Sequence, residues 1–280
     1  MLCNKSNGIL LGLFLLISSA TYAHGDLPIR INEKTKEISK DSTNSRLLFE
    51  RGFLYQQHFE FNKAICDYLK SEDLGNTDKL LYYRIAEVYF SLTDYTAALK
   101  SVNQYINIDT FDVKPQKLKA QILMKLNRHS EALEIYDFVV NNTLDIRPED
   151  ILEYSTIFLS IDSTDYAGSI NAIEFGQNKL GNQIISLRLT KIEYLKKSNQ
   201  PENVLEEYNA LILEKTRKEF WYYKKAYYLF DIDRLSESNI ALQQAKTSIG
   251  KLKPKIKSTS AIKNLLIQIN RIEKSINHEI

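Results

Sequence analysis

Small and large apolar positions recur along this chain at a fixed interval. Gly52, Ala86 and Ala120 stand 34 residues apart, and Ala64, Ala98 and Ala132 repeat that interval 12 residues later. Tyr55, Tyr89 and Leu123 keep step as large residues three positions beyond the first set. A pattern returning about every 34 residues specifies a stack of like units, and no single globular core is needed to explain it. Each unit reads as two helices; in the first unit these cover roughly 46–58 and 61–72. The small residue in each helix lets the other approach, and the large residue fills the space between. One such pair cannot bury its apolar face alone, so it must stack on a neighbour.

The later units are degenerate but still phased. Asp165 to Ile170 read like Asp94 to Leu99, which puts Ser169 in the alanine slot, 37 residues after Ala132. The three extra residues imply a longer loop near 141–150. Val204 fills the same slot next, with Ile192 in the first-helix slot, and Ala226 and Ser238 lie 34 residues beyond these two. Ile192 and Val204 are larger than the pattern prefers, so the crossing of that helix pair is expected to differ. The pattern predicts about six units over 45–252, near 45–78, 79–112, 113–147, 150–184, 185–218 and 219–252.

Both ends read as caps. Residues 24–44 hold a lone helix entering through Pro28, with Ile31 and Ile38 on one face. In 253–280, Ile262, Leu265, Leu266, Ile269, Ile272 and Ile276 recur at helical spacing, while Lys263, Asn264, Asn270, Arg271 and Lys274 take the other face. Such a helix closes a stack with a solvated surface, the alternative being a docking helix for a partner. Pro115, Pro148 and Pro201 fall at predicted helix starts, where the missing N–H leaves no bond unmade. Alternating strand patterns are absent, so the expectation is all-α.

The agreeing registers resemble the tetratricopeptide repeat. Its small–large–small signature is carried by Gly52, Tyr55 and Ala64, followed by Tyr68; by Ala86, Tyr89 and Ala98; and by Ala120, Leu123 and Ala132, followed by Tyr136. The run Glu131, Ala132, Leu133, Glu134, Ile135, Tyr136 is similar to the family's second helix. The resemblance implies a right-handed α-solenoid whose first helices line a concave, partner-binding face. By register, it places Phe49 and Phe53, Tyr83 and Glu87, Lys117 and Gln121, Tyr154 and Phe158, Leu189 and Glu193, and Tyr223 and Tyr227 in that groove. Seven of these twelve residues are Phe or Tyr, a residue type that supplies large contact area at protein interfaces. The other reading is that these rings pack between adjacent first helices. Phe49 and Phe53 stand where repeats that grip acidic chaperone tails carry Lys and Asn, so that clamp is not expected.

Composition adds compartment and removes several functions. Lys5, the apolar run 9–17 and the small residues before Ala23 predict a signal peptide over 1–23, cleaved after Ala23. The run is short for a membrane span, so the mature chain is expected in the periplasm or secreted. Cleavage removes Cys3 and leaves Cys66 alone, which is expected to be buried and inert. A net charge of +2 gives no bulk field for nucleic acid. Lys251, Lys253, Lys255 and Lys257 form the one basic cluster, read as solvated, with anionic lipid or polymer as the alternative.

No catalytic or metal constellation emerges. Phosphate loops, nucleophile elbows and cysteine-pair motifs are absent, and His58, His129 and His278 are dispersed. Cleavage after Ala23 would expose His24 as an N-terminal copper chelator, but the first helix pair offers only His58 as a second histidine and an isolated site of this kind is not selective, so neither metal nor cofactor is expected. The sequence therefore predicts an exported, non-enzymatic scaffold holding an envelope protein or peptide along an aromatic groove. The competing readings are a cell-wall carbohydrate-binding module and a self-associating envelope component.

Overall fold

A computed structural model describes residues 26–279. The signal segment, its cleavage position and His24 lie outside the described residues. Fifteen helices and no strands occur among the described residues. They divide into two compact units, one ending at Asp145 and one beginning at Ile146.

The N-terminal unit holds α1 (Leu27–Lys40), α2 (Ser45–Gln57), α3 (Phe61–Asp73), α4 (Lys79–Ser91), α5 (Tyr95–Ile108), α6 (Val113–Lys125) and α7 (His129–Asn142). After α1 these form three pairs, α2–α3, α4–α5 and α6–α7, with α1 packed on α2. The small slots explain the closeness of the pairs. Ala64, Ala86, Ala98, Ala120 and Ala132 are fully buried. A Cβ added to Gly52 would stand 2.7 Å from the Tyr68 ring and 3.3 Å from the Ala64 carbonyl. Tyr68 and Tyr136 fill the space beside these slots and are themselves fully buried; large apolar side chains buried in this way contribute roughly 1.5–3 kcal/mol each.

The C-terminal unit holds α8 (Pro148–Ile161), α9 (Tyr166–Leu180), α10 (Ile185–Lys197), α11 (Pro201–Glu214), α12 (Glu219–Asp231), α13 (Leu235–Gly250), the single turn α14 (Pro254–Lys257) and α15 (Ser260–Glu279). Serine replaces alanine in two of its second-helix slots, and its hydroxyl is satisfied by the facing helix. Ser169 Oγ donates to the Ser155 carbonyl at 2.9 Å, and Ser238 Oγ to the Ala226 carbonyl at 2.8 Å. The pair α10–α11 differs. Ile192 and Val204 fill its slots, both are buried, and the two helices approach less closely than the other pairs do. Ile262, Leu265, Ile269, Ile272 and Ile276 of α15 are buried where that helix meets α12 and α13.

Five of the turns inside pairs share one construction. Phe59, Thr93, Asn127, Asn199 and Asp233 all have φ between 55° and 63°. In each, the next residue's N–H bonds back to a carbonyl five residues earlier, as Glu60 does to Tyr55 and Arg234 to Leu229. This is the helix-ending Schellman geometry, which demands a left-handed residue. Only three of the five positions carry the Asn or Asp that tolerates it, so the device escapes a reading by residue type. The fourth pair turns differently: Asp165 N bonds to the Asp162 carbonyl, and the Asp165 side chain caps α9 at Gly168 N.

Two sequence expectations are corrected. The three extra residues before Ser169 do not form one long loop. Relative to the preceding unit, one lies in the segment 143–147, one in α8 and one in the turn 162–165. Cys66 is exposed, not buried. Ala64 and Tyr68, one turn apart, set the inward face of α3, and a residue two positions from each points away from it.

Candidate functional site

In the N-terminal unit the first helices are α2, α4 and α6, and the predicted groove residues Phe49, Phe53, Tyr83 and Glu87 form part of a continuous strip. Phe49 and Phe53 on α2 are half-buried, and Phe49 leans on Tyr68 with ring centroids 5.7 Å apart. Arg84 on α4 joins the two helices, with its guanidinium 4.6 Å from the Phe53 ring centre and 5.9 Å from that of Tyr83. Lys114 on α6 stands 5.0 Å from the other end of this row, the Tyr83 ring centre. A cation over an aromatic face contributes about 0.5–1 kcal/mol when exposed and more when desolvated.

A polar chain runs beside the rings. Tyr68 Oη donates to Gln56 Oε1 at 2.7 Å, Gln56 Nε2 donates to Glu87 Oε2 at 3.0 Å, and Arg84 Nη1 donates to the same oxygen at 2.7 Å. Arg84 Nε is buried without a hydrogen-bond partner. Tyr83 is buried at 6% exposure, T-shaped on Tyr105 of α5. Burial raises its phenol well above the ordinary value, and the Glu87 carboxylate adds to the shift. Lys117 and Gln121 are half-buried on α6.

Helix α1 borders this strip and leaves a hollow beside it. Between α1 and α2 lies a pocket of about 330 Å³ whose walls include Arg30, Lys34 and Glu37 on one side and Phe49, Glu50 and Phe53 on the other. Lys34 Nζ spans the two helices to Glu50 Oε2 at 2.8 Å. That contact holds the Glu50 carboxyl below its ordinary value; burial opposes the shift and Arg46 adds to it.

In the C-terminal unit the predicted residues are less connected. Tyr154 is buried at 8% exposure and T-shaped on the half-buried Phe158. Phe158 in turn packs on Gly168, where a Cβ would lie 2.4 Å from its ring. Leu189 is half-buried, and Glu193 is exposed and paired with Lys196 at 2.9 Å. Tyr223 and Tyr227 stand 6.4 Å apart, Tyr227 being 53% exposed. Arg84, Gln56 and Lys114 complete the N-terminal strip and were missed by register alone. A spacing could have found them: Phe53 to Arg84, Gln56 to Glu87 and Tyr83 to Lys114 are each 31 residues, one repeat less three.

No protein-family model and no curated protein sequence matches the chain. Solved structures are similar to it in fold. A tetratricopeptide repeat protein from Parabacteroides merdae ATCC 43184 aligns over 91% of this chain and 96% of its own, with 12% identity and a TM-score of 0.53. YrrB, described as a TPR protein with an unusual peptide-binding site, aligns over 64% of this chain and 90% of its own, with 15% identity and a TM-score of 0.52. A chain of the Naa15/Naa10 assembly bound to HypK-THB aligns over 91% of this chain, at 16% identity and a TM-score of 0.55, but over only 39% of its own length. With its helices paired in sequence and small residues buried at every crossing but that of α10 and α11, the described chain has the all-α solenoid fold of tetratricopeptide repeat proteins.

Proposed function

We propose that this protein is an exported, non-enzymatic scaffold that holds a protein or peptide segment on the first-helix face of its repeats. The observation that carries this reading is the strip Phe49, Phe53, Arg84, Tyr83 and Lys114, with its adjoining pocket of about 330 Å³. Rigid rings and a planar guanidinium are the groups that anchor protein interfaces. A partner's apolar side chain enters beside Phe49 and Phe53, and its polar main chain meets Gln56, Glu87 and Arg84. In the C-terminal unit, Tyr223 and Tyr227 are the accessible anchors; Tyr154 serves by supporting Phe158. The shared fold with YrrB supports a peptide as ligand. The predicted signal segment 1–23 supports export to the periplasm.

The test is a peptide selected on the full chain from a displayed random library, then titrated calorimetrically against variants. Phe53→Ala removes a half-buried anchor and should weaken binding about tenfold, the effect of one hot-spot side chain, while helicity by circular dichroism stays unchanged. Tyr227→Ala asks the same of the second unit. Equal affinity in both variants removes the first-helix face from the reading. Export is tested separately: mass spectrometry of the chain from a bacterial envelope fraction should give His24 as its first residue.

A further inference from the structure

The second-helix side of the C-terminal unit carries a polar cleft that the proposed function does not use. Helices α9 and α11 wall it and α10 crosses its floor. It consists of two adjoining hollows of about 320 and 440 Å³, which share Glu174, Lys191, Glu206 and Glu207. It borders the α10–α11 pair, in which Ile192 and Val204 stand where other pairs close on a small residue.

Its walls are ordered. Asn171, Glu174 and Asn178 follow one face of α9, while Asn203, Glu207 and Ala210 follow the facing side of α11. Such i, i+3 or i+4, i+7 spacing keeps each set in line along the cleft. The floor is cationic. Lys191 Nζ reaches Glu174 at 2.8 Å and Glu207 at 2.7 Å. Arg188, only 4% exposed, lies 3.3 Å from Glu207 and 3.1 Å from Glu214, yet its Nε and Nη1 make no hydrogen bond. The guanidinium is thus compensated in charge but short of acceptors, an uncommon state for a buried donor group.

The charges do not balance. The carboxylates of Glu174, Glu206, Glu207 and Glu214 face Arg188 and Lys191, with Lys215 4.0 Å from Glu214, which leaves an excess of one negative charge in the recess. Partly buried charges are screened by salt much less than exposed ones, so the recess favours a cationic occupant. It also offers amides to a polar main chain and an acceptor-poor arginine to carbonyl oxygens. One class of molecule supplies cations, carbonyls and N–H groups together. From Ala167 to Asn178 the wall of α9 is about 16 Å long, which an extended chain covers in about five residues.

We propose that this cleft binds an extended peptide segment of about five residues that carries lysine or arginine. The wall amides and Arg188 hold its main chain, and the excess carboxylate, Glu206, holds a cationic side chain. The site is separate from the first-helix face, so the chain can hold two segments at once.

The experiment is fluorescence anisotropy of the full chain with a labelled Gly-Lys-Ala-Lys-Gly peptide. The expected result is saturable binding that weakens with salt, falls about tenfold in Glu206→Gln, falls again in Asn203→Ala, and is unchanged in Tyr223→Ala or Tyr227→Ala. Glu206 and Asn203 are exposed, so both variants should fold. Absence of saturable binding overturns the proposal, as does equal affinity for Gly-Glu-Ala-Glu-Gly or for the Glu206→Gln chain. Spermidine that competes as strongly as the peptide, with no loss in Asn203→Ala, assigns a small-cation site and overturns the peptide. Loss of binding in Tyr227→Ala with none in Glu206→Gln returns the peptide to the first-helix face.

Discussion

Gly176→Ala should destabilise the C-terminal unit, although alanine is the better helix former. Gly176 lies inside α9 and faces Ile151 of α8. A Cβ there would stand 2.3 Å from Ile151 Cγ2, 2.7 Å from Cγ1 and 3.0 Å from Cβ. Ile151 is fully buried, and its β-branch leaves it few rotamers, so it cannot swing aside. Separation of the helices is the remaining response. Overpacking of this kind costs about 2 kcal/mol, and replacing a helical glycine recovers about 1 kcal/mol. The net loss is therefore about 1 kcal/mol. Gly250→Ala is the control: nothing lies within 4 Å of its would-be Cβ, so only the favourable term of roughly 0.5–1 kcal/mol remains. Trp221, the single tryptophan, sits on α12 of the same unit. Urea unfolding followed by its fluorescence should show the midpoint falling in Gly176→Ala and rising in Gly250→Ala, with unchanged slopes. A midpoint that rises in both variants would refute the close approach of α8 and α9.

Thr93→Asn should raise stability by about 1 kcal/mol, because Thr93 is an exposed β-branched residue held at φ 63°, where a side chain with that branching is strained and asparagine is tolerated; a thermal midpoint at or below the parent's would count against the turn geometry. Tyr68→Phe should cost about 1 kcal/mol by removing the bond to Gln56 Oε1, read by chemical denaturation followed by circular dichroism, and an unchanged midpoint would mean that Gln56 is held by Glu87 alone. The Lys34–Glu50 tie gives a pH dependence. The folded carboxyl lies below its ordinary value of 4.5, so its contribution is complete above that pH and is lost as pH falls through the lower folded value. Both groups are partly solvated, which limits the effect to a few tenths of a kcal/mol up to about 1 kcal/mol. Urea midpoints compared between pH 6 and pH 3.5 should fall less in Glu50→Gln than in the parent, and parallel falls would remove this pair as the cause.

The repeat was legible because close approach of two helices leaves almost no choice of residue. Ala64, Ala98 and Ala132 have no exposed surface, and at Gly52 even one methyl group collides with Tyr68. Constraints of that strength write themselves into sequence at a fixed spacing. The turns were not legible, because a left-handed residue is obligatory there while its identity is only a preference, and Phe59 and Thr93 occupy the position at a cost. Cys66 was misjudged because cysteine as a type favours burial, whereas its place on α3 is set by Ala64 and Tyr68. The enlarged slots Ile192 and Val204 were visible, but the cleft beside them depends on where α9, α10 and α11 come to rest.

The first-helix strip was half legible for a reason that can be stated geometrically. Register within one repeat names which positions of a first helix are on the face, and so it found Phe49, Phe53, Tyr83 and Glu87. What turns those positions into a surface is contact between neighbouring first helices, and that contact has its own spacing. Phe53 with Arg84, Gln56 with Glu87, and Tyr83 with Lys114 are each separated by 31 residues. The repeat is 34 residues long, so each side chain meets its neighbour one helical turn short of its own equivalent. That offset is the consequence of side chains leaning toward a helix's N-terminus while stacked helices cross at an angle. Read at 34, the sequence shows what each repeat has in common, which is packing. Read at 31, it shows aromatic beside cation and amide beside carboxylate, pairings that packing of the small slots does not require and that give the first-helix face its chemistry.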